Sequence, residues 1–159
     1  MRRKFSSPIL ERYVAFCLEH GLKITPQRSA IYRVMMESTD HPCTEVVFRR
    51  VLAYYPAMSF DTVNRSLLTF AELGLIDIVE SVSGVRRYDP NVERHHHLHC
   101  IKCGTIVDFC HPDFDAIPAP PAITENFTIL GKRVIFSGIC SLCAANAATQ
   151  ATEEIAMES

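Results

Sequence analysis

The chain has 159 residues, 48% hydrophobic and 21% charged, with seven histidines and seven cysteines. At about 100 to 200 residues per domain this makes one or two small domains and excludes a large multi-domain enzyme. No run approaches the roughly 18 apolar residues of a membrane span, and Met1 to Phe5 lack the apolar stretch of a signal peptide. A cytoplasmic protein with no membrane partner is expected, where clustered cysteines hold metal more often than disulfides. The formal net charge of −2 hides a split. Residues 1–88 carry 12 Lys and Arg against 9 Asp and Glu, a balance of +3, whereas residues 89–159 carry 4 against 9, a balance of −5. Opposite electrostatics point to two tasks.

The first half reads as helices with legible ends. Ser7-Pro8 opens one, Ile9, Tyr13, Phe16 and Cys17 mark its apolar face, and Gly21 closes it. Thr25-Pro26 starts a second, striped by Ile31, Val34 and Met35 and ending near Ser38. Thr44 is expected to cap a third, with Val47, Val51 and Leu52, that stops before Pro56. Ser59 is expected to cap a fourth, through Val63, Leu67, Phe70 and Leu73 to Gly74. The period then changes. Leu75 to Glu80 and Val85 to Asp89 are β-prone runs around Ser81-Val82-Ser83-Gly84, a hairpin signal. Helices followed by a hairpin match a winged helix-turn-helix, whose last helix before the wing enters the major groove of DNA, and match equally a plain helical domain with a terminal hairpin.

Asp89-Pro90-Asn91 is turn chemistry and reads as a hinge. The expected organisation is α+β: a winged-helix domain over 1–88, a hinge at 89–91, and a small α/β domain over 92–159. In the latter, Thr105 to Phe109 and Phe127 to Ile139 read as strands. Between them Ile117-Pro118-Ala119-Pro120-Pro121 forbids an unbroken helix, and the Ala-rich tail from Ala144 to Met157 reads as helical.

Cys100-x-x-Cys103 and Cys140-x-x-Cys143, with 36 residues between the pairs, are the most specific feature. Two residues between cysteines let one turn aim both sulfurs at a point, and two such turns make a tetrahedron suited to one structural Zn2+ per chain. A lone pair would also suit redox chemistry; two pairs flanking β segments favour zinc. His95-His96-His97-Leu98-His99, if extended, puts His95, His97 and His99 on one side. With Asp89 and Asp108 near in sequence, these imidazoles suit iron, manganese, cobalt, nickel or zinc. A zinc-dependent hydrolase is the competing reading, yet no H-E-x-x-H, P-loop, dinucleotide fingerprint or G-x-S-x-G occurs. No catalytic residue is assigned and no enzyme is expected.

Together these pieces resemble the ferric uptake regulator family of metal-responsive repressors. The matching residues are Leu22-Lys23-Ile24-Thr25-Pro26-Gln27-Arg28, His41-Pro42, Thr62-Val63 with Arg65, Leu73-Gly74-Leu75-Ile76, Arg87-Tyr88, His95 to Gly104 and Gly138-x-Cys140-x-x-Cys143. The resemblance implies a winged helix, a C-terminal dimerisation domain with structural zinc on the four cysteines, and an exchangeable Fe2+ or Mn2+, or Zn2+, at the hinge. Its ligands carried over are His41, Asp89, His95, His97 and Asp108. The implied partners are a second copy of the chain and double-stranded operator DNA with two-fold symmetry, rich in A·T. Contacts are expected from Ser59, Thr62, Asn64 and Arg65, from Arg86 or Arg87 on the wing, and from Arg12, Lys23 and Arg28. Asn64 stands where members usually have Tyr, and Arg94 and Lys132 stand where some have histidines of a further metal site, which is expected to be absent. Asp89 and Asp108, where many iron sensors carry Glu, match the peroxide-sensing branch; a plain iron- or zinc-responsive uptake regulator is the alternative.

Overall fold

The computed structural model describes residues 8–79, 81 and 84–147, which fall into two compact units divided between Val92 and Glu93. Ser7, the turn residues Val82 and Ser83, and the tail beyond residue 147 lie outside the described residues. Among the described residues no helix is long and apolar enough to cross a membrane.

The first unit is a winged helix-turn-helix. It holds α1 (Pro8–Glu19), α2 (Pro26–Met36), α3 (Thr44–Leu52) and α4 (Phe60–Glu72), then β1 (Asp77–Val79) and β2 (Arg87–Asp89). Proline opens α1 and α2, where its missing N–H costs nothing, and the Thr25 hydroxyl accepts from the Arg28 N–H at 3.2 Å. Gly21 supplies the left-handed backbone (φ 63°) that ends α1, with the Leu22 N–H reaching back to the Cys17 carbonyl at 2.8 Å. Ser59 caps α4 by accepting from the Thr62 N–H at 3.2 Å. The expectation that Thr44 caps α3 is corrected: Cys43 is the cap residue, without a side-chain bond, and the Thr44 hydroxyl donates instead to Asn64 Oδ1 at 3.3 Å. The apolar stripes meet in one core of Tyr13, Ile31, Met35, Val47, Leu67 and Phe70 with their neighbours. Tyr13 stacks on Tyr32 at 4.7 Å between ring centres, and Phe70 meets both rings edge-on. β1 and β2 pair antiparallel, Ile78 opposite Tyr88, and Gly84 has the positive φ expected of the turn (72°).

The second unit is a three-stranded sheet in the order β4-β3-β5, from β3 (His96–Cys100), β4 (Ile106–Phe109) and β5 (Ile135–Gly138). β4 pairs antiparallel and β5 parallel to β3. The expected strand from Phe127 is corrected: only Ile135–Gly138 is strand. β3 offers partners only from His97 to Cys100 on that side, so the apolar alternation at Phe127 and Ile129 has no ladder to join. The prolines divide the intervening segment into two short helices, α5 (Pro112–Ala116) and α6 (Pro121–Thr124). Residues 141–147 are helical, α7, which covers the expected C-terminal helix from Ala144 only to residue 147, the rest lying outside the described residues. Leu98, Val107 and Phe136 lie in register across the three strands, and all three are exposed.

Candidate metal centres

The tight turn after β3 and the start of α7 bring the four cysteines together. Their sulfurs all lie within 4.8 Å of one another, with Cys103 Sγ 3.8 Å from Cys140 Sγ. Four sulfurs about 2.3 Å from zinc stand about 3.8 Å apart in a tetrahedron, so the spacing fits that ion. The Cys140 N–H donates to Cys100 Sγ at 3.3 Å. Backbone N–H groups of Cys103 and Cys140 pull the Cys100 thiol down to about 6, while the neighbouring thiols, Cys140 foremost, push Cys143 up to about 12. Such crowding disfavours a fourth negative charge, which a divalent cation offsets. With all four ligands from protein, no position is left open for catalysis.

In the second unit, alternation along β3 places His97 opposite Asp108, while Leu98 faces the other side. His95 Nε2 lies 2.9 Å from His97 Nε2, and Asp108 Oδ1 lies 3.8 Å and 3.4 Å from these two nitrogens. Ligands about 2.1 Å from a metal stand about 3.0 Å apart at a right angle and up to about 4.2 Å apart when opposite, a span that takes in all three distances, so one ion can take all three. His95 Nδ1 lies 2.6 Å from the Glu93 carbonyl. A carbonyl only accepts, so the proton sits on Nδ1 and the Nε2 lone pair faces the cluster, the ligand form of imidazole. Both imidazoles are buried. His99 lies beyond His97 on the same face, with ring centres 5.9 Å apart.

In the first unit, the buried pair His41 and Asp89 brings Nε2 to 3.6 Å from Oδ2. Asp89 ends β2, and its other oxygen accepts from the Asn91 N–H at 2.8 Å. The Tyr88 N–H donates to the Pro42 carbonyl at 3.1 Å, stitching the His41 loop to the strand that carries Asp89. Each unit thus gathers N/O donors of its own.

Arg94, Lys132 and His96 gather around Asp115. Arg94 Nη1 and His96 Nε2 lie 4.0 Å and 3.6 Å from its carboxylate, and Lys132 donates to the Asp115 carbonyl at 2.6 Å and to that of Ile117. Two cations at this position repel a third, so these residues do not suit a metal ion.

Of the expected DNA contacts, Ser59 caps α4, and Thr62 and Arg65 line a groove of about 600 Å³ with Arg28 and Tyr55. Arg65 is exposed and pairs with Asp61 at 2.7 Å. Asn64 is half-buried, bonded to Thr44. Arg86 is exposed, but half-buried Arg87 turns inward and donates to the His41 carbonyl at 3.3 Å. Arg12 and Lys23 are exposed on α1 and the loop after it, and Arg28 donates to the Lys23 carbonyl at 2.9 Å. Sequence reasoning missed the supporting groups: the Glu93 carbonyl, the Asn91 amide, and the Ser38–Asp40–Arg50 set described below. Their roles arise from tertiary contacts without a motif.

A winged helix followed in the chain by a sheet domain with thiolate and imidazole clusters defines a metal-responsive regulator of transcription rather than an enzyme. The chain belongs to the ferric uptake regulator family, whose model matches residues 19–137. It is 31% identical over 134 residues to a peroxide-responsive repressor of Staphylococcus epidermidis, covering 84% of this chain and 89% of that one. The counterpart from Staphylococcus aureus strain Mu50 is 30% identical over equal length, covering 90% of the relative. Among solved structures, a zinc-bound manganese uptake regulator is 30% identical with a TM-score of 0.64, covering 83% of this chain and 98% of that one. The Helicobacter pylori ferric uptake regulator, 24% identical, has a TM-score of 0.72 over 91% of this chain and 97% of its own, and shares the fold. Regulators of this family bind operator DNA and are dimeric.

Proposed function

We propose that the chain is a peroxide-sensing, metal-dependent repressor, with structural zinc on Cys100, Cys103, Cys140 and Cys143 and exchangeable iron(II) or manganese(II) on His41, Asp89, His95, His97 and Asp108. The carrying observation is the ligand set itself: His41 with Asp89 in one unit, and His95 and His97 with Asp108 in the other, each already gathered with donor atoms 2.9 to 3.8 Å apart. A single ion taking ligands from both units across residues 89–91 restricts them to one arrangement. Binding energy then becomes a shift toward the DNA-competent dimer.

The peroxide branch is favoured by two aspartates where iron sensors of the family often carry Glu, and by relatives at 30–31% identity that are peroxide-responsive repressors. Iron(II), when bound, supplies the electrons that split the O–O bond of hydrogen peroxide beside the imidazoles. Glu93 holds His95 with its Nε2 toward the cluster, so a ring carbon next to that nitrogen is the nearest protein target. DNA contact is assigned to Ser59, Thr62, Asn64 and Arg65 in the major groove, with Arg86, Arg12, Lys23 and Arg28 toward phosphates of a two-fold, A·T-rich operator in the cytoplasm.

The test is mass spectrometry of iron-loaded protein after hydrogen peroxide. One added oxygen on His41 or His95, absent with manganese, supports the reading. No oxidation, with metal-dependent repression intact, assigns the chain instead to metal-uptake control, the function named for the manganese uptake regulator it resembles.

A further inference from the structure

The loop between α2 and α3 presents His41 with a left-handed backbone, φ 47°. For a residue with a side chain this conformation costs about 1 to 3 kcal/mol and persists only where the surroundings hold it. After His41 the holding contacts come from β2, through Arg87 to the His41 carbonyl and Tyr88 to the Pro42 carbonyl.

Before His41 one side chain on α3 contributes. Arg50 forks onto Asp40, Nη1 to Oδ1 at 2.9 Å and Nη2 to Oδ2 at 2.7 Å, and Nη1 also donates to Ser38 Oγ at 2.9 Å. Ser38 is buried and donates in turn to the Val34 carbonyl of α2 at 2.7 Å. Arg50 therefore fixes two of the three residues preceding His41 against two helices. As a stabilising ion pair it counts for little, since both side chains are about half exposed (41% and 51%) and such pairs contribute about 0 to 1 kcal/mol. Its distinguishing property is geometric: two parallel bonds in one plane, on the residue adjoining His41. The neighbouring Arg49, by contrast, makes only an exposed contact with Glu45 at 4.0 Å.

We infer that Arg50 is a positioning residue of the exchangeable metal site, locking the Ser38–Asp40 segment so that the His41 imidazole is held beside Asp89. This rests on the reading of His41 as a ligand. Arg50 acts through the loop and not as a ligand, lowering the ordering cost that metal binding would otherwise meet.

The experiment titrates zinc-loaded, full-length protein with manganese(II) and follows free manganese by electron paramagnetic resonance. Arg50→Gln should raise the dissociation constant about tenfold, the usual cost of losing an outer-shell partner, while zinc content stays at one per chain. Arg50→Lys, which keeps the charge but cannot fork, should weaken binding nearly as much, and it is the variant to measure if Arg50→Gln does not fold. Arg49→Gln should leave the constant unchanged, and the double variant Arg50→Gln, Asp40→Asn should be no worse than either single one. Weakened binding in His41→Ala with wild-type affinity in the folded Arg50 variant overturns the inference alone. Unchanged affinity in His41→Ala overturns the ligand reading beneath it.

Discussion

The backbone N–H of Cys140 donates to the sulfur of Cys100 at 3.3 Å, closing 40 residues of chain onto one point. The bond ties the start of α7 to the end of β3, in a unit whose side chains from Pro121 to Gly131 are all exposed. So thin an apolar core supplies little stability by itself, and zinc on the four cysteines would supply the rest. Cys140→Ser should therefore abolish zinc binding and unfold the second unit, read as lost chemical-shift dispersion for residues 93–147, with the first unit still folded. A folded second unit without zinc contradicts the structural role.

Arg65 and Arg87 should fail in different ways. Arg65 is exposed on α4, so Arg65→Ala should weaken operator binding and reduce the salt slope by about one ion. Arg87 turns onto the His41 carbonyl, so Arg87→Ala should reduce manganese affinity while leaving the salt slope of metal-saturated protein near wild type. Binding isotherms at several salt concentrations separate the two.

Asn64 is tied through Oδ1 to the Thr44 hydroxyl, a bond that does not use its amide N–H donors. Asn64→Ala should relax base preference at one position of each half-site, worth about 1 to 3 kcal/mol, as measured by selection from randomised DNA. Unaltered preference removes Asn64 from the reading surface.

Leu98, Val107 and Phe136 form an exposed apolar row across β4, β3 and β5. Phe136→Asp should yield a monomer by sedimentation and weaken operator binding more than tenfold, because two half-sites are then no longer engaged together. A dimer of undiminished stability places the interface elsewhere.

Burial raises the Tyr13 hydroxyl well above its ordinary value of 10, with the Cys17 thiol adding to the effect, and burial raises Tyr32 in the same direction. A folded-state value above the unfolded one leaves stability unaffected below about pH 10, where both states are protonated. Above it the unfolded chain ionises first, so stability falls as pH rises. Tyr13→Phe should flatten that alkaline loss, measured by urea unfolding at several pH values.

The parts of this molecule most legible in sequence were those with a short covalent rule. Cys-x-x-Cys fixes two sulfurs by one turn, and alternation along His95–His99 assigns faces before any sheet is known. Ser59 and Thr25 announced their helices through a hydroxyl three residues from the N–H it satisfies. Thr44 carried the same signal and its hydroxyl went to Asn64, 20 residues away, because α4 packs beside it. Phe127 and Ile129 alternated like a strand and found no partner, since strand length is set by the neighbour. Arg87 looked like a phosphate contact and faces the His41 loop; Arg50 and Asp40 belong to no motif. Their roles come from loops meeting helices, a relationship that local sequence spacing does not encode.

The most direct test is operator binding by zinc-loaded protein with and without manganese(II), in wild type and His97→Ala, using DNA selected by the protein itself and read by fluorescence anisotropy. Metal should tighten wild-type binding by about tenfold or more, a coupling of roughly 1.4 kcal/mol, and leave His97→Ala at its weak metal-free affinity. Equal affinity in the presence and absence of metal, or a full response in His97→Ala, contradicts the assignment.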